Sequence, residues 1–178
     1  MHSALNQMTI LQTERLILKR LESSDIPDLI ELWCDPDVTH YLGGPRDRAK
    51  LKTSFEEDLR DPFAEQYDLW PVVEKATRDV IGHCGLLEKE VDGKNEVELI
   101  YIFKPSAWGK GYASEMGGAL KRYAFEEMSV ERLIALIEPE NEASERVALK
   151  IGMRFEKEVV RPGGAVRKVY AIEAYNES

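Results

Sequence analysis

The feature that most restricts how this chain can fold is a change of periodicity around two glycines. Tyr101-Ile102-Phe103 closes a short run that alternates like a strand, and after Lys104 to Trp108 comes Gly109-Lys110-Gly111. From there Ala113, Met116, Leu120, Tyr123, Ala124 and Met128 place an apolar stripe on a long helix. Glycines allow the backbone to approach a ligand and to take up conformations that other residues resist. The first N–H groups of a helix have no internal partner, and the helix dipole there favours an anion. Gly109, Lys110, Gly111, Tyr112, Ala113 and Ser114 therefore suit a pyrophosphate, with the Ser114 hydroxyl as an added donor. A P-loop would need a closing Lys-Ser/Thr pair, which is missing. A Rossmann fingerprint would need a third glycine where Ser114 stands and a first glycine immediately after the strand. A plain glycine-containing loop remains the alternative reading of this motif taken alone.

The flanking sequence supplies the other elements. Thr13 to Leu21 reads as a first strand. Ser24 and Asp25 offer an N-cap to a helix with Pro27 in its first turn and Ile26, Leu29, Ile30 and Trp33 on one face. A weaker helical pattern spans Asp47 to Arg60. Leu69 to Glu74, Val80 to Glu88 and Glu96 to Phe103 form an antiparallel meander separated by turn-like segments. Leu133 to Ile137 is apolar throughout, as a strand buried on both faces would be. A short helix from Ala143 to Ile151 stops at Gly152, and strands at Arg154 to Val160 and Val166 to Ala171 flank Pro162-Gly163-Gly164. This order predicts an α/β protein with about seven strands and helices on both faces of the sheet.

The chain of 178 residues predicts one domain over 1–178, with residues 1–7 a loose tail and Met8 an alternative start. Its net charge of -9 argues against direct nucleic-acid binding, which requires a basic face. Without a signal peptide or an apolar stretch of about 18 residues, a soluble cytoplasmic protein is expected. Cys34 and Cys84 show no zinc-site spacing, so no metal is expected, and Cys84 reads as a small buried hydrophobe.

Downstream of the glycine turn stand Glu138-Pro139-Glu140-Asn141-Glu142-Ala143-Ser144 and Leu149-Lys150-Ile151-Gly152-Met153-Arg154-Phe155. Together with Thr13-Glu14-Arg15-Leu16, these motifs resemble the RimJ/RimL-like acetyltransferases of the GNAT superfamily over nearly the whole chain. The resemblance implies a mostly antiparallel GNAT-type sheet and an acetyl-CoA cosubstrate. It implies that backbone amides from Gly109 to Ser114 hold the CoA pyrophosphate. It also implies that the backbone of Tyr101, Ile102 and Phe103 pairs with the pantetheine arm and that Asn141 hydrogen-bonds it. Trp108 stands where many members have Gln or Arg, as it does in many RimL-like relatives. The partner implied is an amine acceptor, either a protein N-terminus or a small amine, and not a membrane; a homodimer is compatible with the reading.

Acetyl transfer to an amine requires a neutral nucleophile, a donor for the developing oxyanion and a proton for the departing thiolate. Glu98 is the candidate base, close to where several relatives place a glutamate; a solvated strand charge beside Glu96 is the alternative. Glu138 competes with it, while Leu136 stands where other relatives have their glutamate. The tyrosine that many relatives use as acid is replaced by Ala148. Ser144 matches a serine of RimL-like members and is the candidate acid; helix capping is its competing role. His40 and His83 belong to no recognisable motif and are expected to be structural or surface residues. The segments 35–46 and 161–167 are where such proteins choose their acceptor. A non-catalytic acyl-CoA-binding module and, more remotely, a nucleotide-binding module are the rival readings.

Overall fold

The structure, a computed structural model, describes residues 7–176. Eight strands form one sheet: β1 (Thr9–Gln12), β2 (Leu16–Lys19), β3 (Leu69–Glu74), β4 (Val80–Val91), β5 (Lys94–Phe103), β6 (Arg132–Ile137), β7 (Arg154–Val160) and β8 (Val166–Glu173). Their order across the sheet is β1-β2-β3-β4-β5-β6-β8-β7, and every pairing is antiparallel except β5 with β6. The helices are α1 (Ile26–Cys34), α2 (Arg48–Asp58), α3 (Tyr112–Glu126) and α4 (Glu142–Lys150). This is a mixed α/β GNAT-type sheet with one strand more than expected. The extra one is β1, which pairs with β2 where a single first strand had been expected. Residues 1–6 of the expected tail lie outside the described residues.

Strand alternation divides the side chains of β5 between two layers. Leu99 and Phe103, with Tyr101 packed alongside, join the core beneath α3 that includes Met116, Leu120 and Ala124. Ile100 and Ile102 face the smaller cluster formed with Leu29, Ile30 and Phe55 of α1 and α2. β6 is almost wholly buried, as its apolar run predicts. The long β4–β5 hairpin turns at Asp92 and Gly93, whose φ angles of 51° and 76° give the two-residue turn that matches the strand twist.

The expected capping bond of α1 is absent. Asp25 makes no capping bond to that helix; it is buried and accepts from Lys19 and from the Glu22 N–H. Among the described residues, no helix is long and apolar enough to cross a membrane.

Candidate active site

The one parallel pairing builds the site. β4 and β5 stay in register for ten residue pairs, from Gly82↔Phe103 to Val91↔Lys94. β5 and β6 share a single register point, Glu98↔Ile134. Beyond it the strands part, and a cavity of about 490 Å³ opens between Ile100-Tyr101-Ile102 and Leu136-Ile137. Glu98, Tyr101, Ile102, Asn141 and Ser144 all line it, so five residues expected from sequence to form the site are brought to one place, while Phe103 turns into the core.

Glu98 is not a solvated strand charge: it is only 8% exposed. Burial pushes its carboxyl up from the ordinary value, partly opposed by Lys89, by the Leu136 N–H and by Arg161 and Arg167. Lys89 Nζ stands 3.9 Å from its carboxylate. Glu96, two residues earlier, is held instead by Arg132. Glu138 lines the same cavity, but its carboxylate accepts the Glu140 N–H at 2.9 Å in a local turn.

At the start of α4 the cap is Asn141. Its side-chain oxygen accepts the Ser144 N–H at 3.2 Å, and its amide nitrogen donates to Ser144 Oγ at 3.2 Å. Capping thus falls to Asn141, and the Ser144 hydroxyl proton has no acceptor among the described residues. The Tyr101 hydroxyl donates to the Ser144 carbonyl at 2.9 Å, tying β5 to α4 across the opening. Ala148 is fully buried in the main core.

The glycine turn lies at the end of β5. Gly109 and Gly111 have φ of 74° and 80°, left-handed values that favour glycine, and α3 begins at Tyr112. Glu115 is the first residue of that turn whose N–H meets a backbone carbonyl, that of Gly111 at 3.0 Å. Among the described residues, the N–H groups of Gly109, Lys110, Gly111, Tyr112, Ala113 and Ser114 donate to no carbonyl, so the turn presents a row of open donors. The Tyr112 hydroxyl points elsewhere, to the Glu74 carboxylate. Trp108 Nε1 donates to the Phe103 carbonyl at 2.7 Å and fixes the turn against the strand end.

His83 is buried and neutral, its pKa lowered to about 4 by burial against a hydrogen bond to Leu69; its Nδ1 accepts from Trp33 Nε1 at 3.0 Å. It is a structural link between β4 and α1. Burial likewise pushes the Cys84 thiol up to about 12. Individual residues of the two acceptor segments had not been singled out. Tyr41, Leu42 and Arg46 from one, and Arg161, Pro162, Ala165 and Arg167 from the other, line the cavity that holds Glu98. A second cavity, of about 700 Å³, borders α2 and shares Trp33, Arg46, Leu69 and Leu87 with the first. Among the described residues, no group of three or more His, Cys, Asp or Glu could hold a metal.

A strand pair splayed over a buried carboxylate thus stands next to a helix that opens on free amides. The chain belongs to the GNAT acetyltransferases: the acetyltransferase (GNAT) domain model matches residues 15–154. It is 34% identical to YkkB of Bacillus subtilis, itself uncharacterized, over 97% of this chain and all of that protein. It is 34% identical to p20 of Bacillus licheniformis, named as an uncharacterized N-acetyltransferase, over 85% of this chain and 84% of p20. The structure is similar to that of a GNAT-family acetyltransferase from Bacillus anthracis, with a TM-score of 0.77 at 28% identity, covering 93% of this chain and 98% of the other. The protein is an acetyl-CoA-dependent acetyltransferase.

Proposed function

We propose that this protein is a cytoplasmic, single-domain, RimJ/RimL-like N-acetyltransferase that acetylates a primary amine, either a protein N-terminus or a small amine, by direct attack in a ternary complex. The observation that carries the reading is Glu98, a buried carboxylate at the last register point before β5 and β6 part, in one cavity with Ser144. Acetyl-CoA supplies the acetyl group when bound. The open amides from Gly109 to Ser114 suit its pyrophosphate, and Tyr101 and Ile102 with Asn141 border the opening in which its pantetheine arm would lie. Glu98, with its pKa raised by burial, accepts the acceptor's proton, directly or through water. The Ser144 hydroxyl, already positioned by Asn141 Nδ2, donates its proton toward the departing sulfur. A cytoplasmic setting agrees with two cysteines that are both unpaired.

The test is a screen for CoA thiol release and acetylated product across peptides and small amines, paired with calorimetry of acetyl-CoA. Wild type should bind acetyl-CoA, and Gly111→Ala should bind it at least about tenfold more weakly, the loss of a charge-assisted hydrogen bond. Unchanged affinity in a folded Gly111→Ala variant removes the cradle. Binding with no transfer to any amine would replace the enzyme reading by that of an acyl-CoA-binding module.

A further inference from the structure

The chain as a whole is acidic, with 24 basic against 33 acidic side chains, yet the cavity around Glu98 has the opposite balance. Arg46, Lys89, Arg161 and Arg167 line it, against Glu98 and Glu138 alone. Lys89 is accounted for by Glu98 and is only an incomplete partner to it at 3.9 Å. Among the described residues the three arginines form no ion pair, although Arg161 and Arg167 act on Glu98 at longer range. Arg161 donates to the Glu90 carbonyl at 2.6 Å, Arg167 to the Val166 carbonyl at 2.8 Å, and Arg46 to the Gly44 and Leu42 carbonyls at 2.6 and 2.8 Å. A guanidinium has five N–H donors, so each keeps several in hand. Elsewhere some arginines are paired, Arg15 with Glu115, Arg48 with Glu31, Arg146 with Glu142, and Arg132 with Glu96, Glu156 and Glu173, while others, Arg20 among them, form no ion pair among the described residues. Three arginines without an ion pair thus face one mouth, and two of them, Arg161 and Arg167, flank the β7–β8 turn.

Resting on the acetyltransferase reading above, we propose that the acceptor is a small amino carboxylate, with its amine at Glu98 and its carboxylate held by Arg161 and Arg167. A planar guanidinium binds a carboxylate through two parallel hydrogen bonds, which would orient the amine as well as hold the molecule. A polyamine would bring ammonium groups beside these guanidiniums, and like charges in a half-enclosed cavity repel. A peptide N-terminus offers an amide where an amino acid has its carboxylate, leaving both arginines without a counter-ion. The carboxylates that would suit a polycation, among them Asp58, Glu65 and Asp68, line the neighbouring 700 Å³ cavity, and none of them lines this one. In the transfer the neutral acceptor nitrogen bonds the acetyl carbon and the bond from that carbon to sulfur breaks; one amine proton passes to Glu98, Ser144 gives its proton to the leaving thiolate, and the proton on Glu98 returns to Ser144 through solvent.

The experiment compares free α-amino acids with their carboxamides, their decarboxylated amines, peptides and polyamines, read as CoA release by wild type. The best amino acid should exceed its own carboxamide by about tenfold or more in kcat/KM, the worth of a charge-assisted bond. Arg167→Gln should collapse that acid-to-amide ratio toward one, chiefly through KM. Arg161→Gln, at the other end of an exposed turn, repeats the test should Arg167→Gln fail to fold. A ratio near or below one in wild type, a polyamine or peptide as best acceptor, or a ratio unchanged in both folded variants overturns this assignment while leaving acetyl transfer intact. No transfer to any amine, with acetyl-CoA still bound, overturns the acetyltransferase reading instead, and this assignment with it.

Discussion

The Arg15 guanidinium meets the Glu115 carboxylate at 2.8 Å, joining the start of β2 to the first turn of α3 across 100 residues of sequence. The same carboxylate accepts the Thr13 hydroxyl at 2.7 Å and the Arg15 N–H at 3.2 Å, while the guanidinium lies 4.3 Å from the centre of the Tyr112 ring. The Thr13-Glu14-Arg15-Leu16 motif therefore has a mechanical role: it clamps the helix whose amides form the proposed pyrophosphate cradle.

From this clamp it follows that Glu115→Ala should cost about 2 kcal/mol of stability and weaken acetyl-CoA binding, because the charge-assisted bonds that orient the first turn are lost. The cost stays moderate because Arg15 is partly exposed and can turn to water. Burial raises the Glu115 pKa, but the bonds from Thr13 and Arg15 outweigh it and leave the net value below the ordinary one. Its stabilisation is present above the ordinary glutamate pKa and is lost as pH falls through the lowered one. Denaturant melts of wild type and variant at neutral and acid pH should converge as the pH drops; parallel curves would show that the clamp contributes nothing through charge.

At α4 the structure separates two roles that the sequence left joined. Asn141→Ala removes the helix cap and should lower stability by about 1 kcal/mol. Ser144→Ala leaves that cap in place and should change stability little, while lowering kcat by roughly tenfold with acetyl-CoA affinity maintained. Thermal melts and turnover measured on both variants decide this. Early melting of Ser144→Ala with full turnover would return Ser144 to a purely structural role.

Much of this architecture was legible in the sequence, for reasons that particular residues make plain. The Leu133–Ile137 run, the alternation in β5 and the stripe on α3 are local patterns that burial rewards directly. β1 escaped because Thr9–Gln12 offers only Ile10 and Leu11 as apolar residues and owes its strand to pairing with β2. Asp25 does stand at the N-cap of α1, but its carboxylate binds Lys19 and the Glu22 N–H in place of the helix amides, a choice of partner that sequence does not reveal. Glu98 alternates with apolar neighbours just as Glu96 does, so nothing local distinguishes them. Glu98 sits at the parallel pairing with β6, in a cavity also lined by residues of 35–46 and 161–167, and such tertiary surroundings leave no periodicity to read.

The buried His83 should make the fold sensitive to mild acid. Its pKa of about 4 in the folded chain compares with 6.5 when exposed, so the unfolded chain binds the extra proton between those values. Stability therefore rises with pH across that window and falls by up to about 3 kcal/mol as pH drops through it. Carboxyls whose pKa values desolvation raises, Glu98 and Asp68 among them, act in the opposite sense over part of the same range, so the comparison must be with a variant. His83→Gln, whose side-chain oxygen can still accept from Trp33, should show a flatter dependence between pH 6.5 and pH 4. Equal slopes for the two proteins would mean that His83 is protonated without cost.

The pH dependence of the reaction should report on Glu98 itself. Burial holds its pKa above the ordinary glutamate value, and as a base it works only when ionised, so kcat/KM should fall as pH drops through that raised value. An acceptor with a pKa near about 7.8 is already roughly a tenth neutral at pH 7, whereas one near about 10.4 costs about 3.5 kcal/mol more to deprotonate. With the first kind of acceptor, Glu98→Gln should lower kcat/KM by about ten- to a hundredfold, and raising the pH should restore much of the rate because solvent can then take the proton. With the second kind the loss should reach a hundredfold or more and the dependence on pH should steepen. Lys89 stands 3.9 Å from Glu98, so Lys89→Met should move the wild-type acid limb to higher pH by removing the cation that favours the carboxylate. It should have no such effect in the Glu98→Gln background, which lacks that limb. Superimposable profiles for wild type and Glu98→Gln would take Glu98 out of the mechanism and leave Glu138, on the same cavity wall, as the next carboxylate to test.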